Sequence, residues 1–176
     1  MGKRSEFERL PKDKYYTWDS RAYQNMDGMW QNIGTFVEPC AGAGNMVYHL
    51  SDMGMSCVYA CDIEPEGAGI ALHSYEMIPG HVLARADAII TNPPWSRGLL
   101  HPFIDWCIKS GKPSWLLIDT AWAATRQAKP YLAYCSHIVP TPRLKWIKDS
   151  EHAAKDDTSW YRFQNVPCPT VWVSNP

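Results

Sequence analysis

The residue types best suited to chemistry occur together in Asn92-Pro93-Pro94-Trp95, directly after the apolar run 87–91, which predicts a buried strand. Asn92 offers a side-chain oxygen, and the Pro93 carbonyl is free because two consecutive prolines cannot continue a hydrogen-bonded ladder. Trp95 adds a flat face for a planar ring, worth about 1 to 3 kcal/mol per stacked base. Two acceptors and a stacking face fit an exocyclic amine, whose poorly nucleophilic nitrogen they would hold closer to tetrahedral. The alternative is a plain asparagine-capped proline turn with a core tryptophan.

A second candidate site is the turn Glu38-Pro39-Cys40-Ala41-Gly42-Ala43-Gly44, which follows the first predicted strand. Its glycines allow positive φ and close approach of the backbone to a ligand. The turn departs from the dinucleotide fingerprint, because Val47 stands where a small residue belongs and Glu38 would repel a pyrophosphate. Asp62, at the tip of the second predicted strand, can accept both hydroxyls of a ribose. A ligand with an amine, a sulfonium and a ribose but no phosphate fits, and S-adenosyl-L-methionine is such a ligand.

Strands and helices alternate along the chain and give way to strands in the tail. We predict strands at 34–37, 55–60, 81–83, 87–91, 114–118, 138–139, 143–147, 159–163 and 170–173, and helices at 45–53, 69–77, 100–110, 121–134 and from Thr17 or Asp19 to Trp30. This order predicts an α/β fold with a mainly parallel sheet and an antiparallel C-terminal edge. Ligands of such sheets bind beyond the carboxyl ends of the strands.

The composition is that of an ordinary globular domain: 176 residues, 45% hydrophobic and 20% charged. No apolar run approaches the roughly 20 residues of a membrane helix, and the charged start 1–6 lacks the apolar stretch of a signal peptide. We therefore expect a cytoplasmic protein that does not contact a membrane. The six cysteines form no C-x-x-C pair, which predicts free thiols and no metal site.

A net charge of −1 gives no whole-molecule argument for a nucleic-acid partner. Basic residues nevertheless cluster in the start 1–14, which we predict to be flexible, and in the segment 143–162, and acids are interleaved with both groups. Either these are solvated faces, or the two ends of the chain together form a groove that tracks phosphates. Both interpretations stay open.

The chain resembles a known family at this point. The stretch 38–44, Asp62-Ile63-Glu64-Pro65 and Asn92-Pro93-Pro94-Trp95, in this order, resemble motifs I, II and IV of the class I S-adenosylmethionine-dependent amino-methyltransferases, particularly DNA N6-adenine methyltransferases. The tail segments 142–147 and 158–163 are similar to the strand pair of small Dam-like enzymes of phages and prophages. Tyr15-Tyr16-Thr17 stands where that family has its N-terminal cofactor-contacting motif. The resemblance covers residues 15 to 165.

The resemblance implies a Rossmann-like class I methyltransferase fold, a three-layer sandwich, with residues 1–176 forming a single domain and no separate target-recognition domain. It implies methylation of the N6 amine of adenine in duplex or single-stranded DNA, with the base flipped out and stacked on Trp95. The location would be the bacterial host cytosol if a phage encodes the chain. The catalytic residues would be Asn92, Pro93, Pro94 and Trp95. The cofactor-binding residues would be Tyr16, Thr17, Glu38, Pro39, Cys40, Ala41, Gly42, Gly44, Asp62, Ile63, Asp87 and Asn92.

Two features depart from the family pattern. The expected third strand, 81–83, is not followed by the acid that binds the cofactor adenine, and Asp87 is the only acid nearby. Nothing between Asp62 and Asn92, and little after Ile118, is long enough for a target-recognition domain. We therefore expect a weak sequence preference, a short recognised site, or recognition by the polar loop 148–157. Asparagine-proline-proline-aromatic motifs also serve RNA adenine, guanine and protein glutamine. N-methylation of those substrates, a non-catalytic cofactor-binding relative, and any oligomeric state stay open.

Overall fold

The structure, a computed structural model, describes residues 15–26, 28–147 and 155–173. The basic start predicted at 1–14 and most of the loop predicted at 148–157 lie outside these residues. The strands are β1 (Thr35–Glu38), β2 (Ser56–Asp62), β3 (Ala71–Leu72), β4 (Ala88–Thr91), β5 (Ser114–Asp119), β6 (Cys135–Pro140), β7 (Thr158–Phe163) and β8 (Val171–Trp172). The α-helices are α1 (Asn45–Asp52), α2 (Gly80–Arg85), α3 (Arg97–Ser110) and α4 (Lys129–Leu132). Single 3₁₀ turns lie at Ser20–Ala22, Tyr75–Met77 and Thr120–Ala124.

The eight strands described form one sheet in the order β3-β2-β1-β4-β5-β7-β6-β8. Only β7 runs antiparallel to its neighbours, β5 and β6, and the other pairs are parallel. The predicted fold class is confirmed: the sheet is mainly parallel and Rossmann-like, and its reversed strand lies in the C-terminal part of the chain. The sheet carries β1, β2 and β4 side by side, which brings the ends of these three strands to one edge.

Apolar side chains cover both faces of the central strands, as buried parallel strands require. On β4, Ile90 faces the core that contains α1, whereas Ile89 faces the core under α3. Trp115 and Leu116 of β5 divide between the same two cores. Each fully buried side chain of this size contributes about 1.5 to 3 kcal/mol of transfer free energy. The burial pattern therefore fixes the register of β4 and β5 and, with it, the position of the residues that follow them.

Three predictions in the first half of the chain are wrong. The helix predicted up to Trp30 is a single 3₁₀ turn, Ser20–Ala22, capped by the Asp19 carboxylate. The helix predicted at 69–77 is replaced by β3 and the 3₁₀ turn Tyr75–Met77, and the strand predicted at 81–83 is helix α2. Short apolar runs do not distinguish strand from helix, and here the tertiary contacts of the sheet decide.

Two predictions in the second half also need correction. The helix predicted at 121–134 is divided into the turn Thr120–Ala124 and α4. The segment 143–147 is not a strand, and Thr158–Phe163 pairs with Cys135–Pro140 and Ser114–Asp119 instead. Leu144 is buried, and the Lys145 N–H donates to Asp19 at 2.8 Å, so side chains rather than a ladder hold this segment.

The cysteines are all free, as predicted. None of the helices in the described part of the chain is long and apolar enough to cross a bilayer.

Candidate active site

Three acidic or amide side chains meet at the carboxyl edge of the sheet. Glu38 is the last residue of β1, Asp62 the last of β2, and Asn92 follows β4 directly. Because these strands are parallel neighbours, their carboxyl ends form one continuous edge. The topology therefore brings together the glycine turn, the acid of the second strand and the Asn-Pro-Pro-Trp segment.

The Asp62 carboxylate shapes the glycine turn. One oxygen accepts the Gly42 N–H at 2.8 Å, and the other accepts the Glu64 N–H at 2.8 Å. Gly42 has φ +51° and Gly44 has φ +82°, left-handed conformations that favour glycine. The Gly42 carbonyl accepts the Glu66 N–H at 2.9 Å, so the segment after β2 closes over the turn.

Tyr16 lies against this turn. A Cβ atom added at Gly42 would overlap the Tyr16 ring, which explains why the turn needs a glycine there. Burial, and after it the neighbouring Glu66 carboxylate, raise the pKa of the Tyr16 hydroxyl. The charges of Asp62 and Glu64 add to this effect. The Tyr16 ring thus stands between the glycine turn and the acids that follow β2.

Glu38 is a buried acid, and one of its carboxyl oxygens has no hydrogen-bond partner. Its side chain is 2% exposed, and Oε2 has no hydrogen-bond donor. Burial, then the charge of Asp62, raise the pKa of Glu38 well above its usual range, and the Val47 N–H offsets only part of this. An unpaired buried carboxyl oxygen costs about 1 to 3 kcal/mol, so a cationic donor from a ligand would stabilise it.

A small cavity of about 20 Å³ lies between these groups, roughly the size of one water molecule. Its lining combines the N-terminal segment, the turn, the start of α1 and the residue after β4: Tyr15, Tyr16, Thr17, Glu38, Cys40, Ala41, Asn45, Met46 and Asn92. The Tyr16 ring, which lies against Gly42, forms part of this lining.

The Asn92 amide is held from both sides. Its Nδ2 donates to the Tyr15 carbonyl at 2.9 Å, and its Oδ1 accepts the Trp95 indole N–H at 3.2 Å. The same indole N–H donates to the Leu117 carbonyl of β5 at 3.0 Å. The Trp95 ring packs edge to face on Trp146, with 5.5 Å between centroids. Trp95 is therefore placed by β4, β5 and the segment 143–147 together.

The remaining residues predicted for the cofactor lie on the same edge. The Ala41 N–H donates to the Cys61 carbonyl at 3.0 Å, which fastens the turn to β2, and Pro39 lies beside Cys61. Burial raises the pKa of the Cys40 thiol well above its usual range. Of the other residues predicted for the cofactor, Thr17 is buried and Ile63 is 66% exposed. Of the residues predicted as catalytic, Pro93 is buried and Pro94 is half-buried.

Asp87 is the exception, and the prediction that places it in the cofactor site needs correction. Its Oδ2 accepts the N–H of Gly34 at 2.9 Å and the N–H and Oγ1 hydroxyl of Thr35 at 2.8 and 2.9 Å. Thr35 begins β1, and Asp87 comes just before β4, so this contact lies at the amino edge of the sheet. Asp87 therefore links the start of β1 to the start of β4, at the edge of the sheet opposite Asn92.

His73 is a residue that sequence reasoning missed, because a helix was predicted there. Its backbone N–H donates to the Asp62 carbonyl at 3.0 Å, directly after β3. The ring contacts the Ser74 carbonyl through Nδ1 at 2.9 Å and the Tyr59 hydroxyl through Nε2 at 2.6 Å. A carbonyl only accepts, so Nδ1 carries a hydrogen. In place of the acid expected after the third strand, the chain presents this histidine and Ser74.

We expect Asp87→Ala to lower the melting temperature by a few degrees at pH 7 and to leave cofactor affinity within about twofold, because distant sites act independently. The bonds from Thr35 and Gly34 lower the pKa of Asp87. Its contribution to folding stability is therefore present above the unfolded-state pKa of about 3.9 and is lost as the pH falls through the folded-state pKa. Calorimetric melting at pH 7 and pH 3 measures this. The exposed Asp105→Ala on α3 is the control. A cofactor affinity reduced tenfold by Asp87→Ala would return this residue to the site.

Comparison with known proteins identifies the fold. No protein-family model matches the chain, and no curated protein matches its sequence. A protein from Listeria monocytogenes assigned to the class I S-adenosylmethionine-dependent methyltransferases is similar in structure, with TM-score 0.55 and 13% identity, over 86% of this chain and 61% of that one. A modification subunit assigned to a type I restriction enzyme of Vibrio vulnificus has TM-score 0.55 and 12% identity, over 93% and 48%. A protein from Pyrococcus horikoshii assigned as an RNA methyltransferase has TM-score 0.52 and 13% identity, over 80% and 79%.

The chain therefore has the Rossmann-like fold of class I S-adenosylmethionine-dependent methyltransferases. Its structural neighbours include subunits of type I restriction-modification systems. The chain spans about half to three fifths of the length of the Vibrio and Listeria proteins. Within the described residues no group of three or more histidine, cysteine, aspartate or glutamate side chains could hold a metal ion.

Proposed function

We propose that this chain, as a single catalytic domain, transfers a methyl group from S-adenosyl-L-methionine to the N6 amine of adenine in DNA. The observation that carries the proposal is the meeting of Glu38, Asp62 and Asn92 at the ends of three adjacent strands. Glu38 suits the amine of the cofactor, Asp62 suits its ribose, and Asn92 suits the amine of a substrate. The reaction belongs in the cytoplasm, which is the host cytosol if a phage encodes the chain.

The polar groups present match those of the cofactor, and the cavity of about 20 Å³ between them would have to widen to admit it. The unpaired Oε2 of Glu38 would accept the ammonium of its methionine part, and the turn 40–44 would contact the same part. Asp62 uses one lone pair of each oxygen for a backbone N–H, which leaves acceptor capacity for ribose hydroxyls. Ile63 and Leu72, 66% and 72% exposed beside Asp62 and His73, would cover the adenine. When bound, S-adenosylmethionine supplies an electrophilic methyl group on a sulfonium.

The chemistry of the chain itself is positioning. Asn92 Oδ1 and the Pro93 carbonyl would accept the two hydrogens of the amine, concentrate the lone pair on nitrogen and stabilise the positive charge that develops on it. Trp95 would support the ring of the flipped base. The proton would leave to solvent.

DNA is the favoured substrate because the motifs resemble DNA adenine enzymes, and one structural neighbour is a restriction-modification subunit. RNA is the second candidate, since another neighbour is assigned as an RNA methyltransferase. Methylation of a protein glutamine and a non-catalytic role are the further alternatives.

The test is product identification. The protein is incubated with cofactor labelled on the methyl group and, in separate reactions, with duplex DNA, single-stranded DNA, RNA or a protein extract. We expect nuclease digestion and mass spectrometry to find N6-methyladenine in DNA. Label only in RNA or in glutamine would contradict the DNA substrate, and label in none of them would contradict the methyltransferase activity.

A further inference from the structure

The Asn92 side chain is contacted by two groups of fixed chemical character. The Tyr15 carbonyl can only accept a hydrogen bond, and the Trp95 indole N–H can only donate one. We infer that this indole N–H is a positioning group that holds the Asn92 amide in its working orientation, in addition to the stacking role of the Trp95 ring. The inference rests on the proposed amine methylation.

The two contacts select the same orientation of the amide independently. If the amide turned by 180°, its NH₂ would face the indole N–H and its oxygen would face the Tyr15 carbonyl. Both bonds would then be replaced by unfavourable contacts between like groups. In the observed orientation Oδ1 keeps one lone pair beyond the bond to Trp95, and this lone pair is available to a hydrogen of the substrate amine.

The indole itself is held in place by its neighbours. Its N–H is shared between Asn92 Oδ1 at 3.2 Å and the Leu117 carbonyl at 3.0 Å, so the ring is tied to β5 as well. Trp146 packs against the ring at an interplanar angle of 85°, and Tyr15 packs on Trp146 with 6.4 Å between centroids. A phenylalanine or tyrosine ring at position 95 could stack on a base but has no N–H at the indole position. Tryptophan therefore combines the stacking face with the donor.

The test removes the N–H and keeps the ring. Trp95 is replaced by benzothienylalanine, in which sulfur stands in place of the indole N–H. Trp95→Phe is the second variant. The control is benzothienylalanine in place of Trp172, which lies on the edge strand β8 and is 54% exposed. With benzothienylalanine at position 95, we expect the single-turnover rate of methyl transfer to fall about 3- to 10-fold, which is the loss expected for one neutral hydrogen bond. The affinities of this variant for substrate and cofactor should stay within about twofold of those of the unmodified protein, since benzothienylalanine keeps the full stacking face. The Trp172 control should match the unmodified protein.

A rate equal to that of the unmodified protein would overturn the inference. A fall in substrate affinity without a fall in the single-turnover rate would also overturn it, since that is the signature of stacking alone. A second readout needs no turnover. In the free protein, the side-chain ¹⁵N–¹H signals of Asn92 should shift and exchange faster in both Trp95 variants. Unchanged signals would contradict the positioning role, whereas absence of methyl transfer by the unmodified protein would contradict the proposed function.

Discussion

The Asn92→Ala variant should lose methyl transfer by about 10²- to 10³-fold in the single-turnover rate, which is the usual cost of deleting one preorganised polar group at a reacting centre. The substrate amine would lose the Oδ1 acceptor, while the glycine turn, Glu38 and Asp62 stay in place. Cofactor affinity should stay within about threefold, because the proposed contacts with the ammonium and the ribose are made by Glu38 and Asp62, which the substitution leaves in place. Rapid-quench kinetics and calorimetric titration measure the two quantities.

Asn165→Ala is the matched control. Asn165 is an exposed amide in the loop after β7, and because β7 is reversed, this loop lies at the amino edge of the sheet. Its variant should transfer methyl groups at the normal rate. If Asn92→Ala kept more than about a tenth of the normal rate, Asn92 would not be the acceptor for the amine.

The second large effect concerns cofactor binding. Asp62→Ala should weaken the affinity for S-adenosylmethionine about 10- to 100-fold, since a charge-assisted hydrogen bond contributes about 1.5 to 3 kcal/mol. Two causes act together in this variant. The ribose would lose its acceptor, and the glycine turn would lose the bond from the Gly42 N–H that shapes it.

Asp62→Asn separates these causes. The amide oxygen can still accept the Gly42 N–H, whereas the amide nitrogen can accept neither a ribose hydroxyl nor the Glu64 N–H. We expect both the unfolding midpoint and the cofactor affinity of Asp62→Asn to lie between those of the unmodified protein and Asp62→Ala, because one of the two backbone bonds is kept. Calorimetry and chemical denaturation measure both. Affinities for the Asn variant equal to those of the unmodified protein would restrict Asp62 to a structural role.

The strand ends that make the site could be predicted from the sequence, because a buried strand followed by a glycine turn or by Pro-Pro leaves a strong local signal. The central strands β1, β4 and β5 lie close to their predicted positions. Their side chains are buried on both faces of the sheet, so their sequences are apolar runs. In such strands the local sequence pattern and the tertiary packing favour the same structure.

Elements at the margin of the sheet were harder to predict. The two-residue strand β3 has too few side chains for a periodic pattern, and the apolar stretch 81–83 fits a short helix as well as a strand. These errors moved the predicted third strand to 81–83 and drew attention to Asp87, which precedes β4 and lies at the opposite edge. His73, which follows the actual third strand, was missed for the same reason.

The contacts within the Asn-Pro-Pro-Trp segment depend on tertiary packing. The sequence predicts the types Asn92 and Trp95 and their place after a strand. It does not predict that the indole N–H reaches Leu117 on the next strand, or that Trp146 comes from a segment without a ladder. Side-chain direction after a proline pair is decided by neighbours far away in the chain.

The contacts made by the segment 15–19 have a consequence for folding. Tyr15 bonds to a residue 77 positions away, the Trp18 indole donates to the Trp146 carbonyl across 128 positions, and Asp19 accepts the Lys145 N–H across 126. Loops of this length close late, because their entropy cost is offset only by contacts that the finished sheet provides. The wall of the pocket should therefore be among the last parts to form and the first to open. A chain without the segment 15–19 would keep a sheet but lose the pocket wall that Tyr15, Tyr16 and Thr17 form.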